Sequence, residues 1–439
     1  MSKEKEHSTA LVWFRNDLRT TDQHSLYQAV NNHSRVIGVY CFDPRQFQKD
    51  RFGFPKTGAF RAAFLRETVQ QLQQALKQLN IPLFISNEAP EEAIPSLVSE
   101  YNITSIYAQK EWTQEEQAVM HSLQKSTENH SVTFNTVYDQ FLYHPEDLSF
   151  SIHSVPKVFT DFRKKIEKKI GIRNTVSVNF MPSENYFDTH TSLPSWQQLD
   201  LEPPEPHPDS AFPFSGGEQA AQNRLEHYLF ETHLLSTYKQ TRNGLIGTAY
   251  SSKFSPWLAN GSLSPRTIFE AVQRYEKEVE KNQDTYWLIF ELIWRDFFKY
   301  ISLKHGNEIF KRKGILNKDY EWDTDWELIN RWIAGETESD FVNANMIEFQ
   351  KTGWMSNRGR QNVASYFAKE LHQDWRIGAA YFESQLLDYD VHSNYGNWMY
   401  VAGVGNDPRN RKFDVEKQAE RYDEDGAFRD LWFSEKAPL

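Results

Sequence analysis

Residues 388 to 409, Asp-Tyr-Asp-Val-His-Ser-Asn-Tyr-Gly-Asn-Trp-Met-Tyr-Val-Ala-Gly-Val-Gly-Asn-Asp-Pro-Arg, combine side chains that could bind a flat, polar-edged ring. Two carboxylates, Asp388 and Asp390, and two amides, Asn394 and Asn397, supply hydrogen-bonding edges, while Trp398 and Tyr400 supply apolar faces. Gly396, Gly403 and Gly405 read as backbone turns of positive φ, so the stretch is expected to be irregular and its aromatics exposed. An aromatic loop that merely closes a helical core fits the same residues.

Three further constellations could carry chemistry. Thr285 to Lys304 is aromatic around nearly its whole circumference, which predicts a buried helix. On it Glu291 and Arg295 stand one turn apart beside Trp294, where a buried charge pair needs partners or a function, and an exposed one would be an ordinary surface ion pair. Tyr250-Ser-Ser-Lys-Phe-Ser-Pro-Trp places three hydroxyls and a lysine before a helix, suited to a phosphate or pyrophosphate; the plain alternative is an N-cap by Ser255 with Pro256 following. Trp354-Met-Ser-Asn-Arg-Gly-Arg-Gln361 presents arginine forks that can grip phosphates or carboxylates, with Asn357 able to read a ring edge; a solvated basic loop is the competing reading.

The elements that must position these groups fall into two halves. Ala10–Phe14, 36–42, 82–86, 104–109 and 132–138 read as short strands, alternating with helical periodicity at 57–79, 91–100 and 113–126. That alternation predicts a parallel sheet with helices on both faces. No G-x-G-x-x-G or G-x-x-x-x-G-K-[ST] follows a strand, which argues against an ordinary NAD or P-loop site. A proline-punctuated connector follows, carrying a short basic amphipathic helix at 157–169. Beyond residue 215 the β signal disappears, and helices are predicted at 217–228, 265–280, 285–304, 326–334, 342–351, 359–371 and 375–386. The expected organisation is α/β plus all-α: residues 1–140, a linker 141–214, and an α-helical domain 215–439.

Composition excludes other classes. The chain of 439 residues has a net charge of −11, which argues against indiscriminate polyanion binding, though Lys351, Arg358 and Arg360 form a local basic patch. No apolar run is long enough to span a membrane, and Met1–Ala10 is polar, without a leader's apolar core. A single cysteine, Cys41, excludes an internal disulfide; a reducing, cytoplasmic setting is expected. His227, His233, His305 and His392 show no metal spacing, so no metal site is expected, and no hydrolase arrangement is present. Thirteen tryptophans exceed what a core requires and invite stacking or electron-transfer roles.

Taken together these motifs resemble the photolyase/cryptochrome family, most closely its DASH cryptochrome branch. The resemblance is carried by Leu11-Val-Trp-Phe-Arg-Asn-Asp-Leu-Arg19, Thr241-Arg-Asn-Gly244 with residues 250–256, Glu291-Leu-Ile-Trp-Arg-Asp-Phe297, Thr352 to Arg360, Asp374-Trp-Arg376 and the 388–409 stretch. It implies a Rossmann-like parallel-sheet antenna domain, a long linker and a C-terminal α-helical FAD-binding domain.

It further implies that Tyr238, Ser251, Ser252 and Ser255 hold the diphosphate side of FAD. Arg360 would pair with Asp388 over the flavin ring, Asp390 would bond its polar edge, and Asn394 would face its N5. Trp398, Trp375 and Trp322 would relay electrons outward in that order. For repair of cyclobutane pyrimidine dimers, Glu291 would hydrogen-bond the pyrimidine carbonyls, Trp294 would stack and Asn357 would bond the substrate. Arg242 and Arg358 would contact its flanking phosphates. Tyr400 and Gln361 replace the tryptophan and methionine of the usual dimer photolyases, as in the DASH branch. Losing a stacking platform predicts a preference for dimers in single-stranded DNA. Glu111 stands where an acid binding a 5,10-methenyltetrahydrofolate antenna is expected; a surface acid before a helix fits it too. A monomer is expected. The alternative function is a blue-light signalling photoreceptor, against which the chain ends soon after the flavin motif.

Overall fold

The computed structural model describes residues 6–434; the start of the Met1–Ala10 segment and the last residues of the helical half lie outside them. Five strands, β1 (Glu6–Phe14), β2 (His33–Cys41), β3 (Leu83–Ser86), β4 (Ile103–Gln109) and β5 (Thr133–Val137), form one parallel sheet of order β3-β2-β1-β4-β5. All five strands follow the sequence prediction. Ala10 to Phe14 at its centre are almost wholly buried, as expected where helices cover both faces. Those helices are α1 (His24–Asn32), α2 (Ala59–Gln78), α3 (Pro90–Glu100) and α4 (Gln114–Ser126). α1 has no counterpart in the sequence reading: Gln23 caps it through its side chain, a cap that composition does not flag.

The strand order reverses between β1 and β4. The carboxyl ends of these two strands lead into Arg15–Arg19 and Gln109–Trp112, so the crevice that parallel sheets offer to ligands lies between these two motifs.

The connector is irregular apart from short turns and α5 (Phe159–Glu167). The helical half contains α6 (Glu218–Glu226), α7 (Tyr238–Thr241), α8 (Ser255–Ala259), α9 (Pro265–Glu278), α10 (Gln283–His305) and α11 (Trp326–Ala334). It continues through α12 (Asp340–Thr352), α13 (Asn357–Ser365), α14 (Trp375–Gln385), α15 (Val391–Ala402), α16 (Val415–Tyr422) and α17 (Ala427–Ser434). Two helices predicted as continuous end in π-helical turns, at His227–Glu231 and Tyr366–Glu370.

α15 corrects the reading of 388–409 as irregular. Asp390 caps it by accepting from the Ser393 N–H at 2.8 Å, and Gly403 ends it at φ +82°. Gly396 is helical; it is needed because a Cβ there would lie 2.3 Å from the Phe298 ring of α10. Trp398, expected to be exposed, is only 2% exposed.

A buried charge network joins the halves. Arg266 of α9 pairs with Asp22 at 2.9 Å and Asp139 at 2.6 Å, while Arg19 pairs with Asp139 at 2.9 Å and donates to the Gly261 carbonyl. Burial works to raise the Asp139 pKa, but Arg19, His24 and Arg266 hold it well below the usual carboxylate range. Breaking such a network by removing one partner costs about 3–5 kcal/mol, so the halves are locked.

Candidate active site

A cavity of about 540 Å³ opens in the helical half, a size suited to a cofactor. α10 forms one wall. Asn282 and Thr285 close a capping box at its start, and its buried face fixes which residues point inward. Glu291, Trp294, Arg295 and Phe298 line the cavity from this helix.

Arg295 does not pair with Glu291 as the one-turn spacing suggested. It donates to the backbone carbonyls of Gln140 at 2.5 Å and Leu258 at 3.0 Å, tying the end of the α/β half to α8. Glu291 pairs with Arg242, which comes from the end of α7. Burial raises the Glu291 pKa against the pull of Arg242.

The second wall is the 250–255 segment. Ser251 at φ +53° and Lys253 at φ +66° are left-handed, an alternation that turns successive N–H groups toward one point and makes an anion-binding nest. The helix starts at Ser255 itself, so Ser255 is not the N-cap; Phe254 occupies that position without a side-chain bond. Lys253 is 2% exposed and its Nζ has no hydrogen-bond partner, lying 3.0 Å from the centre of the Tyr250 ring. Arg224 braces the nest, donating to the carbonyls of Ser252 and Thr248. Near this cation the fully buried Glu348 carboxylate also lacks a hydrogen-bond partner; burial lifts its pKa to about 8, against Lys253 and Arg360. Burial pushes the Lys253 pKa well below the usual lysine range, and an anion beside this left-handed backbone would favour its charged form. The residues fit a diphosphate.

The third wall holds Arg360, Asp388 and Asp390, the residues expected to bind the ring. Arg360 pairs with Asp388 at 3.0 Å and is braced by the Met355 carbonyl. Asp390 accepts from Lys299 at 2.6 Å; burial opposes its ionisation, but Lys299, His392 and Arg295 hold its pKa far below normal. It is a fixed anion. From α15 the wall is made by Ser393, Asn397, Tyr400 and Val401. Asn394 does not reach it: the amide is buried and donates to the Ala379 carbonyl at 2.9 Å.

Asn357, Arg358 and Gln361 line the cavity from α13, together with Tyr238, Ser251, Ser252, Ser255 and Tyr400. The Arg358 guanidinium is already engaged by Gln361, Gln418 and Asn243. One face of Trp294 is covered by Phe159 of the linker, ring centres 3.7 Å apart and nearly parallel. Lys253, Ser393 and Arg411 line the cavity without having been named as site residues; Lys253 and Ser393 fall inside quoted motifs, and Arg411 lies just beyond the 388–409 stretch.

The three expected relay tryptophans come from neighbouring segments of the helical half. Trp398 packs onto Gly378, where a Cβ would sit 2.2 Å from its ring, one turn of α14 from Trp375. The backbone beside Trp322 pairs with the segment leading into Trp375, the Asp323 N–H donating to His372 and the Asp374 N–H to Asp323. Trp398 and Trp375 are buried and Trp322 is half-buried.

Comparison with known proteins now decides the family. Residues 10–178 match the family model described as DNA photolyase, and residues 287–439 match the FAD binding domain of DNA photolyase. A protein of Gloeobacter violaceus named Cryptochrome DASH is 47% identical over 98% of this chain and 86% of its own length. The chain belongs to the photolyase/cryptochrome family, in its DASH cryptochrome branch. The crystal structure of a Synechocystis cryptochrome superposes with a TM-score of 0.93 at 45% identity, covering 98% of this chain and 89% of that one. A class III photolyase from Agrobacterium tumefaciens gives 0.80 at 25% identity, covering 98% and 88%. FAD is the cofactor of this family. No helix among the described residues is long and apolar enough to cross a membrane, and no cluster there could hold a metal ion.

Proposed function

We propose that this DASH cryptochrome is a light-driven lyase that splits cyclobutane pyrimidine dimers, preferring those in single-stranded DNA. Reduced FAD, when bound, would supply the chemistry, a blue-light-driven electron loan to the dimer that is returned after ring opening. The observation that carries this reading is the convergence of Glu291, Asn357, Gln361 and Tyr400 on the same cavity as the phosphate nest and the Arg360–Asp388 pair.

The nest at 251–255, with Lys253 and Arg224 beside it, would neutralise the diphosphate, and Arg360 and Asp388 would clamp the ring system. Asp390, kept ionised by Lys299, would accept from the ring's N–H edge. Arg242 and Arg358 would each exchange an internal partner for a substrate phosphate, Arg242 leaving Glu291 and Arg358 leaving Gln361, Gln418 and Asn243. Without Arg242 the enclosed Glu291 carboxyl favours its protonated form and can donate to a pyrimidine carbonyl. Trp294 would offer only the surface not covered by Phe159, and Asn357 would complete the contacts. Trp398, Trp375 and Trp322 would carry electrons inward from solvent reductant to restore the reduced cofactor.

An antenna reading rests on the crevice between β1 and β4. There the Gln109 side chain donates to Glu111 at 2.7 Å, while Gln109 Oε1, Gln140 Oε1 and Glu116 Oε2 are shielded from water without partners. Burial and the neighbouring Glu111 lift the Glu116 pKa to about 7. Orphaned acceptors around an acid fit the N–H groups of a methenyltetrahydrofolate pterin.

The deciding experiment is repair of a dimer-containing single-stranded oligonucleotide by the fully reduced protein, under blue light and in the dark. Light-dependent repair is expected. No repair under illumination would replace this reading with that of a signalling photoreceptor.

A further inference from the structure

Only Phe159 of α5 enters the functions assigned so far, as the cover on Trp294. Its inner residues Phe159, Phe162 and Ile166 are buried, Phe159 meeting Trp294 and, edge-on at 5.1 Å, Phe290. Its outer surface is basic: residues 157–169 hold six cations against two acids, in a chain whose net charge is −11. Arg163 is paired with Glu167, but Lys157, Lys164, Lys168 and Lys169 are exposed, and among the described residues none of them forms an ion pair. Four free cations clustered against an acidic background are a local polyanion surface.

A row of aromatics connects this surface to the cavity. Phe290 and Trp294 line the cavity, and Trp287, one turn back on α10, is half-buried and stacks on Phe290 with ring centres 4.5 Å apart. Cations flank the row, Lys239 Nζ lying 4.4 Å from the centre of Trp287 and Arg163 5.5 Å from that of Phe290. The Asn406 side chain donates to the Lys157 carbonyl at 2.7 Å, fastening the loop that carries Arg409 and the cavity residue Arg411 to the start of α5. Basic track and stacking platform together are what sequence-indifferent binding of a single strand requires.

We propose that the α5 face is a second anchoring track for single-stranded nucleic acid, with phosphates lying along Lys157, Lys164, Lys168 and Lys169 and a base stacked on Trp287. It deepens the reading of the cavity above by giving the strand beyond the lesion a path away from Arg242 and Arg358.

The test is binding of a fluorescent, lesion-free oligothymidylate to the flavin-loaded protein in the dark, by anisotropy across a salt series. A strand releases about 0.7 counterion per phosphate neutralised. Replacing Lys164, Lys168 and Lys169 by Ala is therefore expected to flatten the slope of log K against log salt by about 2. Trp287→Ala is expected to weaken binding roughly tenfold at fixed salt with the slope unchanged. A control triple at the exposed Lys49, Lys125 and Lys277 should keep the parental slope. An unchanged slope in the first triple, or equal flattening in the control, overturns the track. Binding of phosphatidylserine vesicles that depends on the same lysines, with oligothymidylate unaffected, reassigns the face to lipid and also overturns it. With no lesion and no light, the outcome is independent of whether the cavity repairs dimers.

Discussion

Arg242 and Glu291 face each other as an ion pair inside the cavity, drawn from different helices, with side chains 20% and 28% exposed. A carboxylate cannot donate a hydrogen bond to a pyrimidine carbonyl; the protonated acid can. On the proposed reading, the pair is the resting state of a group that would gain a proton when Arg242 turns to a phosphate.

Repair should fall as pH rises through the Glu291 pKa, because the donor form is present below it and lost above it; burial already raises that pKa. Glu291→Gln keeps a donor at every pH, so most activity should survive and this limb of the profile should vanish. Glu291→Ala should lose roughly ten- to a hundredfold, the worth of one hydrogen bond to a charged group. Quantum yield against pH measures it; an unchanged limb in the Gln variant would refute the donor role.

Asp388→Asn should strip the flavin. It removes one partner of a buried ion pair, a loss of about 3–5 kcal/mol, eased somewhat because Arg360 is a quarter exposed. Flavin absorbance per mole of protein after gel filtration should drop sharply, while Arg376→Ala, altering a pair outside the cavity, should leave it intact.

Lys253→Met separates cofactor binding from stability. Burial holds the Lys253 pKa well below the usual lysine range in flavin-free protein, and a bound anion would favour its charged form. FAD affinity should weaken at least tenfold, while the flavin-free variant melts no lower than its parent. The neighbouring Glu348 adds a pH signature. Its pKa rises from 4.5 to about 8 on folding, so the folded state binds the extra proton and stability declines as pH rises across that window. Glu348→Gln should flatten this decline in thermal melts of flavin-free protein.

Light-driven reduction of the bound cofactor by thiol should be nearly abolished in Trp398→Phe, with repair by chemically pre-reduced protein retained. Gly378→Ala should act like a weaker version of it, since the new Cβ would push the Trp398 ring aside. Bleaching of the flavin band under blue light reads both. Undiminished bleaching in Trp398→Phe would remove that residue from the relay.

The sheet was legible because five apolar runs in strand–helix alternation admit little else, and the buried α10 because aromatics surround it. The 388–409 stretch misled for a physical reason: Gly396 is there so that α15 can touch Phe298, a tertiary contact with no local signature, and it was read as a turn. Spacing alone likewise paired Glu291 with Arg295, whereas backbone carbonyls of Gln140 and Leu258, distant in sequence, claim the guanidinium. The cover that Phe159 places on Trp294 comes from the linker and could not be seen in either motif.

On the proposed reading, Tyr400 is expected to set the preferred substrate. It meets Trp294 edge-on at 6.1 Å, and Trp294 has already given one face to Phe159, so the cavity offers little stacking area to an extruded pyrimidine dimer. Stacking contributes about 1–3 kcal/mol per base, and extrusion from duplex costs a few kcal/mol that a single strand does not incur. Repair should be efficient on single-stranded dimers and poor on intact duplex. Tyr400→Trp restores a platform and should raise duplex repair roughly tenfold while changing single-strand repair little. Parallel turnover assays on the same dimer in both contexts decide it. Equal parental rates on both would mean that extrusion is assisted by something other than stacking, and would discard the strand preference.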